Sequence, residues 1–177
     1  MGLDPRWSLP PTTIGGGDER MNSSVHASAV LVGARAVLIR GPSGSGKSQL
    51  ARQLIEVRGN GFAFTRLVGD DRVHLEAANG RLLVHPAEAL AGLLEVRGVG
   101  LIRLDHEPSA VVGLVVDLAA ADAERLPEPE RRRTEIDGIM LPRLAVAAGA
   151  AALPAVLGHL TSGWPTEHNP EKACPRT

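Results

Sequence analysis

The chain has few aromatic side chains and almost no net charge, and both shortages limit the kinds of partner it can have. It has no tyrosine, two phenylalanines and two tryptophans, and its 19 Lys and Arg residues stand against 20 Asp and Glu residues. Proteins that bind single-stranded nucleic acid stack bases on aromatic rings and need an excess of basic residues. We therefore expect no nucleic-acid partner. The 44% apolar and 22% charged composition is typical of a soluble globular protein.

Cysteine and long apolar runs are equally scarce. The only cysteine, Cys174, cannot form an internal disulfide, which favours a reducing compartment. No run approaches the roughly 18 apolar residues of a membrane-spanning helix, and the first residues lack the apolar core of a secretory signal. We therefore expect a cytoplasmic protein that does not associate with a membrane.

The length of 177 residues suits a single domain. Both ends are rich in proline, glycine and small polar residues without a periodic apolar pattern, so folding them would cost entropy with little burial in return. We predict one folded domain over residues 23–160, with disordered tails at 1–22 and 161–177.

Apolar patterns predict strands and a helix around a glycine-rich loop. Strands are predicted at Ala29–Val32 and Ala36–Arg40, and the second leads directly into the sequence GPSGSGKSQ. After this loop, the spacing of Leu50 and Leu54 predicts a helix that ends near Gly59. A strand, a glycine loop and a helix in this order are typical of phosphate-binding sites.

The remaining patterns predict a mixed sheet. Asn79 and Gly80, between alternating strands, predict a hairpin, and the sequence PAEALAGLLEVRG predicts a helix that begins at Pro86 and includes Leu90 and Leu94. Farther on, SAVVGLVVDLA predicts a buried strand, ERLPEPERRR an exposed loop, TEIDGIMLPRLAVAA two short strands, and GAAALPAVLGHL a closing helix. The fold class is therefore α/β with a mixed sheet and antiparallel hairpins, unlike the alternating doubly wound folds.

The glycine loop matches the nucleotide-binding pattern G-x-x-x-x-G-K-[ST]. Its glycines let backbone N–H groups surround phosphate oxygens, Lys47 places a compact charge at the phosphates, and the Ser48 hydroxyl can bind Mg²⁺. Lysine is rare in this chain, and the larger planar group of arginine does not fit such a loop, so Lys47 indicates a function. The predicted nucleotide-binding residues are Gly41, Pro42, Ser43, Gly44, Ser45, Gly46, Lys47, Ser48 and Gln49.

Two adjacent carboxylates, Asp70 and Asp71, follow the apolar sequence LVG. If this strand ends beside the glycine loop, the carboxylates lie near the terminal phosphate, one facing a metal ion and the other an acceptor. A solvated turn explains the pair equally well. Asp117, after VVGLVV, competes for the Mg²⁺ position as an acid at a strand end.

Three motifs in this order resemble the catalytic domain of HPr kinase/phosphorylase, the bacterial enzyme that phosphorylates a serine of the phosphocarrier protein HPr. They are the glycine loop, the sequence LVGDDRV, and LEVRGVG, which carries Leu94, Glu95, Arg97, Gly98 and Gly100. The resemblance covers residues 25–144. It implies a P-loop fold like that of phosphoenolpyruvate carboxykinase, in a short form without the N-terminal domain of longer relatives.

The resemblance also implies a role for each matching residue. Asp70 is the catalytic base toward the acceptor serine, with His26 beside it and Lys47 stabilising charge, while Asp71 and Glu95 join Ser48 around Mg²⁺. ATP is the implied phosphate donor and an HPr-like protein the acceptor.

The resemblance further implies that the protein can dephosphorylate its product. The signature loop, Glu95, Arg97, Gly98 and Gly100, is tied by the resemblance to dephosphorylation, in which inorganic phosphate attacks phosphoserine and yields pyrophosphate. A homo-oligomer is expected.

One segment departs from the family. A P-x-R-x-G-R-N segment is common near the end of the family domain, whereas this chain has LAVAAGAAAL there, with Arg143 as the nearby cation. The missing arginine is lost, replaced by Arg143 or supplied by a neighbouring subunit. Two alternatives to the protein kinase therefore stay open: a nucleotide-binding regulatory module without turnover, and a small-molecule P-loop kinase.

Overall fold

The computed structural model describes residues 24–57 and 62–162. The predicted tail 1–22, Gly59 as the helix end, Cys174 and most of the predicted tail 161–177 lie outside these residues. Thr161, expected to begin the second tail, is the last residue of the closing helix.

Ten strands and two α-helices make up the described structure, in the order expected for a mixed sheet. The strands are β1 Val25–Val32, β2 Arg35–Arg40, β3 Thr65–Gly69, β4 Arg72–Ala78, β5 Arg81–Pro86, β6 Leu93–Val96, β7 Gly100–Arg103, β8 Ala110–Leu118, β9 Arg133–Ile136 and β10 Ile139–Val146, and the helices are α1 Lys47–Glu56 and α2 Ala152–Thr161. Short 3-10 turns occur at Glu88–Leu90 and Pro129–Arg132.

Eight of the strands form one sheet in the order β2-β1-β4-β5-β8-β10-β9, with β3 paired to β1. Because β2 also pairs with β8, the strands β2, β1, β4, β5 and β8 form a closed ring. The β2–β8 and β8–β10 pairs are parallel, and the other pairs within the sheet are antiparallel. The prediction of a mixed α/β fold with antiparallel hairpins is thereby confirmed.

Local turn chemistry explains the hairpins. Asn79 and Gly80 have φ values of 50° and 72°, as a two-residue turn of type I′ requires, and they join β4 to β5 as predicted. The turn between β1 and β2 contains Gly33, whose φ of 62° is also positive.

Two apolar clusters, one on each face of the strands, explain why β2 and β8 are apolar at successive positions. Val37 and Ile39 of β2 belong to the cluster that α1 and α2 cover, whereas Ala36 and Leu38 belong to the cluster between β2 and the β4–β5 hairpin. Successive side chains of a strand point to opposite faces, so a strand covered on both faces is apolar throughout.

The predicted helix from Pro86 through Leu94 is wrong. Only a 3-10 turn forms at Glu88–Leu90, and Leu94 lies in β6, where it pairs with Ile102 of β7. The chain turns at Gly92, which has a φ of 74° and packs so closely on Leu104 that a side chain there would clash. Leucines at helical spacing are thus divided between a short turn and a strand.

Among the described residues, no helix is both long enough and apolar enough to span a membrane.

Candidate functional site

The glycine loop, residues 41–48, leaves the end of β2 and enters α1. Gly41, Gly44 and Gly46 have φ values of 151°, 79° and 96°, which glycine adopts at little cost. Gly46 accepts a hydrogen bond of 2.9 Å from the Leu50 N–H, and this bond begins the helix. The loop therefore ends at a helix N-terminus, where free backbone N–H groups favour an anion.

Lys47 is buried inside this loop, with 6% of its surface exposed. Its Nζ donates hydrogen bonds of 3.1 Å to the backbone carbonyls of Gly41 and Pro42. Burial lowers the pKa of Lys47, and the charges of Asp70 and Asp71 partly oppose this effect. Gly41 is needed where the loop closes, because a Cβ there would lie 2.9 Å from the carbonyl oxygen of Leu118.

A pocket of about 540 Å³ opens beside the loop. It brings together residues from β1, the loop, α1, the β3–β4 turn and β6. The lining residues are His26, Ser43, Gly44, Gly46, Lys47, Ser48, Gln49, Arg52, Asp71, Glu95, Val96 and Arg97. Most of the residues that the sequence singled out therefore share one cavity, but Asp70, Gly41, Pro42, Ser45, Gly98 and Gly100 do not line it.

The two adjacent aspartates lie in different environments. Asp70 is 3% exposed and has both carboxylate oxygens engaged: Ser28 Oγ donates to Oδ1 at 2.5 Å, and the Glu95 N–H donates to Oδ2 at 3.2 Å. Asp71 has 63% of its side chain exposed, and its Oδ1 lies 3.3 Å from His26 Nε2. Its φ of 62° is uncommon for a residue other than glycine.

Strand geometry accounts for this division. His26 and Ser28 are two residues apart on β1 and therefore face the same side of the strand. Ser28 reaches the buried Asp70, and His26 reaches the exposed Asp71 at the pocket. The buried aspartate also connects β1 to β6, because its second oxygen binds the backbone of Glu95.

The signature loop lies at the β6–β7 hairpin. Glu95 is exposed on β6, and Arg97 is exposed in the turn. Gly98 in this turn and Gly100 at the start of β7 have φ values of 81° and 103°. The hairpin is held by Leu94, which is fully buried in the cluster that α1 covers. Its apolar residues therefore fix it to the core, while Glu95 and Arg97 face the pocket.

Oxygen donors suited to Mg²⁺ are present in the pocket. Ser48, Asp71 and Glu95 all line it, and Mg²⁺ is usually held by one or two carboxylates together with phosphates and water. No cluster of three or more His, Cys, Asp or Glu residues that could hold a metal unaided occurs in the described part of the chain. The donor set therefore fits an ion that arrives with a nucleotide.

Asp117 is not available as a metal ligand in this structure. Arg40 donates to its two oxygens at 2.7 and 2.9 Å, and Arg143 Nε donates at 2.6 Å. Burial alone raises the pKa of Asp117, but these hydrogen bonds and charges outweigh it and lower the pKa. No pattern in the sequence indicated the Arg40 contact, although Arg40 directly precedes the glycine loop.

Arg143 is engaged as well. Its two terminal nitrogens bind the two oxygens of Asp122 at 2.7 and 2.9 Å, in addition to the contact with Asp117. It does not line the pocket. The sequence-based option that Arg143 replaces the missing phosphate-binding arginine is therefore not supported by its position.

Comparisons with known proteins agree on one family. The family model described as HPr Serine kinase C-terminal domain matches residues 20–151. The chain is 48% identical over 81 residues to HPr kinase/phosphorylase of Streptococcus thermophilus (strain ATCC BAA-491 / LMD-9), which is 45% of this chain and 24% of that protein. It is 33% identical over 135 residues to HPr kinase/phosphorylase of Streptococcus sanguinis (strain SK36), covering 70% of this chain and 42% of that protein.

A solved structure also matches. The HPr(Ser) kinase/phosphatase from Coxiella burnetii aligns with a TM-score of 0.63 and 25% sequence identity, over 80% of this chain and 95% of that one. The chain spans between about a quarter and two fifths of the length of the curated relatives named above.

Proposed function

The chain belongs to the HPr serine kinase C-terminal domain family, and on this basis we propose that it transfers the γ-phosphate of ATP to a serine of HPr or an HPr-like carrier. The observation that carries the proposal is the pocket, which joins the glycine loop to an exposed carboxylate, Asp71, beside His26. The loop would be a P-loop in a fold like that of phosphoenolpyruvate carboxykinase.

Binding and charge stabilisation would come from the loop. Its backbone N–H groups and Lys47 would hold the phosphate chain, and Lys47 is already placed by two carbonyls of the loop. Ser48 and Glu95 would hold Mg²⁺, which neutralises charge on the transferred phosphoryl group when it is bound. In-line transfer then requires mainly positioning and electrostatic stabilisation.

The geometry favours Asp71 over Asp70 as the base, which differs from the role that the family resemblance implies for each of them. A base must come within hydrogen-bond reach of the acceptor hydroxyl. Asp71 is exposed at the pocket, and His26 can orient its carboxylate. Asp70 is buried with both oxygens bound, so it is better suited to hold β1, β6 and the β3–β4 turn together.

The reverse reaction uses the same groups. An oxygen of inorganic phosphate would attack the phosphorus of phosphoserine while a proton of that phosphate passes to Asp71. The bond between phosphorus and the serine oxygen would break, the serine oxygen would take the proton from Asp71, and pyrophosphate would form. We also propose that the protein is cytoplasmic and forms a homo-oligomer, as expected from the sequence.

Transfer of labelled phosphate from ATP to a purified HPr-like carrier tests the proposal. Asp71→Asn should lower the transfer rate by about a hundredfold or more, in the range of a lost general base, while Mg-ATP binding persists. The matched variant Asp70→Asn should retain more activity, because Asn can still accept from the Glu95 N–H and donate to Ser28. Normal transfer by Asp71→Asn would refute the assignment of the base.

A regulatory module without turnover is the second candidate, because residues 147–151 contain no cation and Arg143 is held by two aspartates. That candidate predicts saturable Mg-ATP binding and no labelled serine on any carrier. A small-molecule kinase would instead consume ATP only with a low-molecular-weight acceptor.

A further inference from the structure

Arg40 and Asp117 form the last residue pair of the parallel β2–β8 ladder, and the chain enters the glycine loop at the next residue, Gly41. Arg40 Nε donates to Asp117 Oδ1 at 2.7 Å, and Arg40 Nη2 donates to Oδ2 at 2.9 Å. A carboxylate held by two parallel bonds from one guanidinium has a fixed orientation. The pair therefore joins β2 to β8 through side chains at the point where the loop begins.

This ion pair lies on the face of the sheet opposite to α1. Ile39 precedes Arg40, Val116 precedes Asp117, and both apolar residues belong to the cluster that α1 and α2 cover. Because successive side chains of a strand point to opposite faces, Arg40 and Asp117 point away from the helices. The loop is thus anchored to the apolar core through α1 on one face and to a charged pair on the other.

The first residues of the loop depend on the alignment of β2 with β8. A Cβ on Gly41 would lie 2.9 Å from the carbonyl oxygen of Leu118, the residue after Asp117, so the loop and the strand end are in close contact. The carbonyls of Gly41 and Pro42 accept the two hydrogen bonds from Lys47 Nζ. A shift of the end of β2 relative to β8 would move these carbonyls, and with them the ammonium group.

Asp117 is itself fixed from its other side by Arg143. Arg143 Nε donates to Asp117 Oδ2 at 2.6 Å, while its terminal nitrogens bind both oxygens of Asp122. The side chains of Asp117 and Arg143 are only 16% and 14% exposed. Charge-assisted hydrogen bonds with so little exposure restrict the carboxylate, so Asp117 can hold Arg40 in one position.

We propose that Asp117 and Arg40 are positioning residues for the glycine loop: Asp117 acts through Arg40 to hold the carbonyls of Gly41 and Pro42 where they place Lys47. The inference rests on the proposed function and gives the acid at the end of β8 a role that involves no metal ion. Neither Arg40 nor Asp117 lines the pocket, so both act without touching the nucleotide. Phosphoryl transfer depends mainly on positioning, and small displacements of the groups involved are costly.

Mg-ATP titration of the folded variants tests this role. Asp117→Asn and Arg40→Gln should each weaken binding about tenfold, within the range of coupling in one hydrogen-bond network. Arg40→Lys should recover part of the affinity, because it keeps the charge and a donor toward Asp117. The double variant should bind no more weakly than the weaker single variant, because the two residues act as one unit.

Transfer kinetics supply a second readout. At saturating Mg-ATP, Asp117→Asn should lower kcat for transfer to the carrier and leave the KM for the carrier unchanged, because the loop and not the acceptor side of the pocket is displaced. A purely stabilising ion pair would change neither value in protein that is fully folded at the assay temperature.

Two control variants separate positioning from loss of stability. Arg66→Gln removes a pair with Glu107 of comparable exposure, 36% and 27%, on β3 and outside the pocket, and should leave the Kd for Mg-ATP unchanged. Ser28→Ala removes the hydrogen bond to the buried Asp70 and should destabilise the fold without weakening Mg-ATP binding.

Unchanged Mg-ATP affinity in Asp117→Asn and Arg40→Gln, an equal loss in Ser28→Ala, or additive losses in the double variant would overturn the positioning role. Tighter binding in Asp117→Asn would overturn it too, because the released Arg40 would then bind the nucleotide itself. If Asp117→Asn does not fold, Arg40→Gln and Arg40→Lys decide the question. Absence of Mg-ATP binding in the wild type would instead count against the proposed function.

Discussion

Replacing Ser28 with alanine tests whether Asp70 is a structural carboxylate. Ser28 is fully buried, and its Oγ donates the 2.5 Å hydrogen bond to Asp70, which is itself 3% exposed. The change removes a donor to a buried carboxylate, and hydrogen bonds to charged groups contribute about 1.5–3 kcal/mol. We expect Ser28→Ala to lower the free energy of unfolding by about 2 kcal/mol, which for a domain of this size lowers Tm by roughly 4–8 °C.

Urea unfolding followed by circular dichroism measures this loss, with Ser109→Ala as the control. Ser109 is exposed in the loop before β8, so its loss should change stability by less than about 0.5 kcal/mol. Mg-ATP affinity should be nearly unchanged in both variants, because neither serine lines the pocket. A Ser28→Ala protein as stable as the control would refute the structural role of the hydrogen bond.

Two further predictions concern the surroundings of the loop. Gly41→Ala should lower Tm and weaken Mg-ATP binding more than Gly44→Ala does. The new Cβ at position 41 would lie 2.9 Å from a backbone carbonyl oxygen, whereas a Cβ at position 44 would meet no atom within 4 Å. Equal effects of the two changes would contradict the close packing at Gly41. Asp117→Asn should lower the free energy of unfolding at neutral pH by about 2 kcal/mol through the lost charged hydrogen bonds. Because folding lowers the pKa of Asp117 from 3.8, its stabilisation is complete above that value and disappears as the pH falls through the lowered pKa. Acid unfolding curves of the variant and the wild type should therefore converge at low pH, and a constant difference would contradict this account.

Features that depend on neighbouring residues were predictable from the sequence. The β4–β5 hairpin follows from Asn79 and Gly80, whose backbone conformation fits only a tight turn. The strand, glycine loop and start of α1 follow from local spacing and from the rarity of lysine. Both depend on interactions within a few residues, which a single sequence records directly.

Features that depend on distant residues were not predictable. The spacing of Leu90 and Leu94 suits a helix, but pairing with β7 makes Leu94 part of a strand. The difference between the two aspartates depends on Ser28, which is 42 residues from Asp70. Likewise, Arg40 neutralises Asp117 across 77 residues, so no local pattern could exclude that acid from the metal site.

Titration of the protein with Mg-ATP tests the central claim most directly, because every proposed role depends on a nucleotide seated in the glycine loop. The wild type should bind Mg-ATP at a single saturable site, Lys47→Ala should weaken binding by at least about tenfold, and a change of Lys172, the other lysine, should leave it unaltered. Absence of saturable binding in the wild type, or equal affinity in folded Lys47→Ala protein, would contradict the claim.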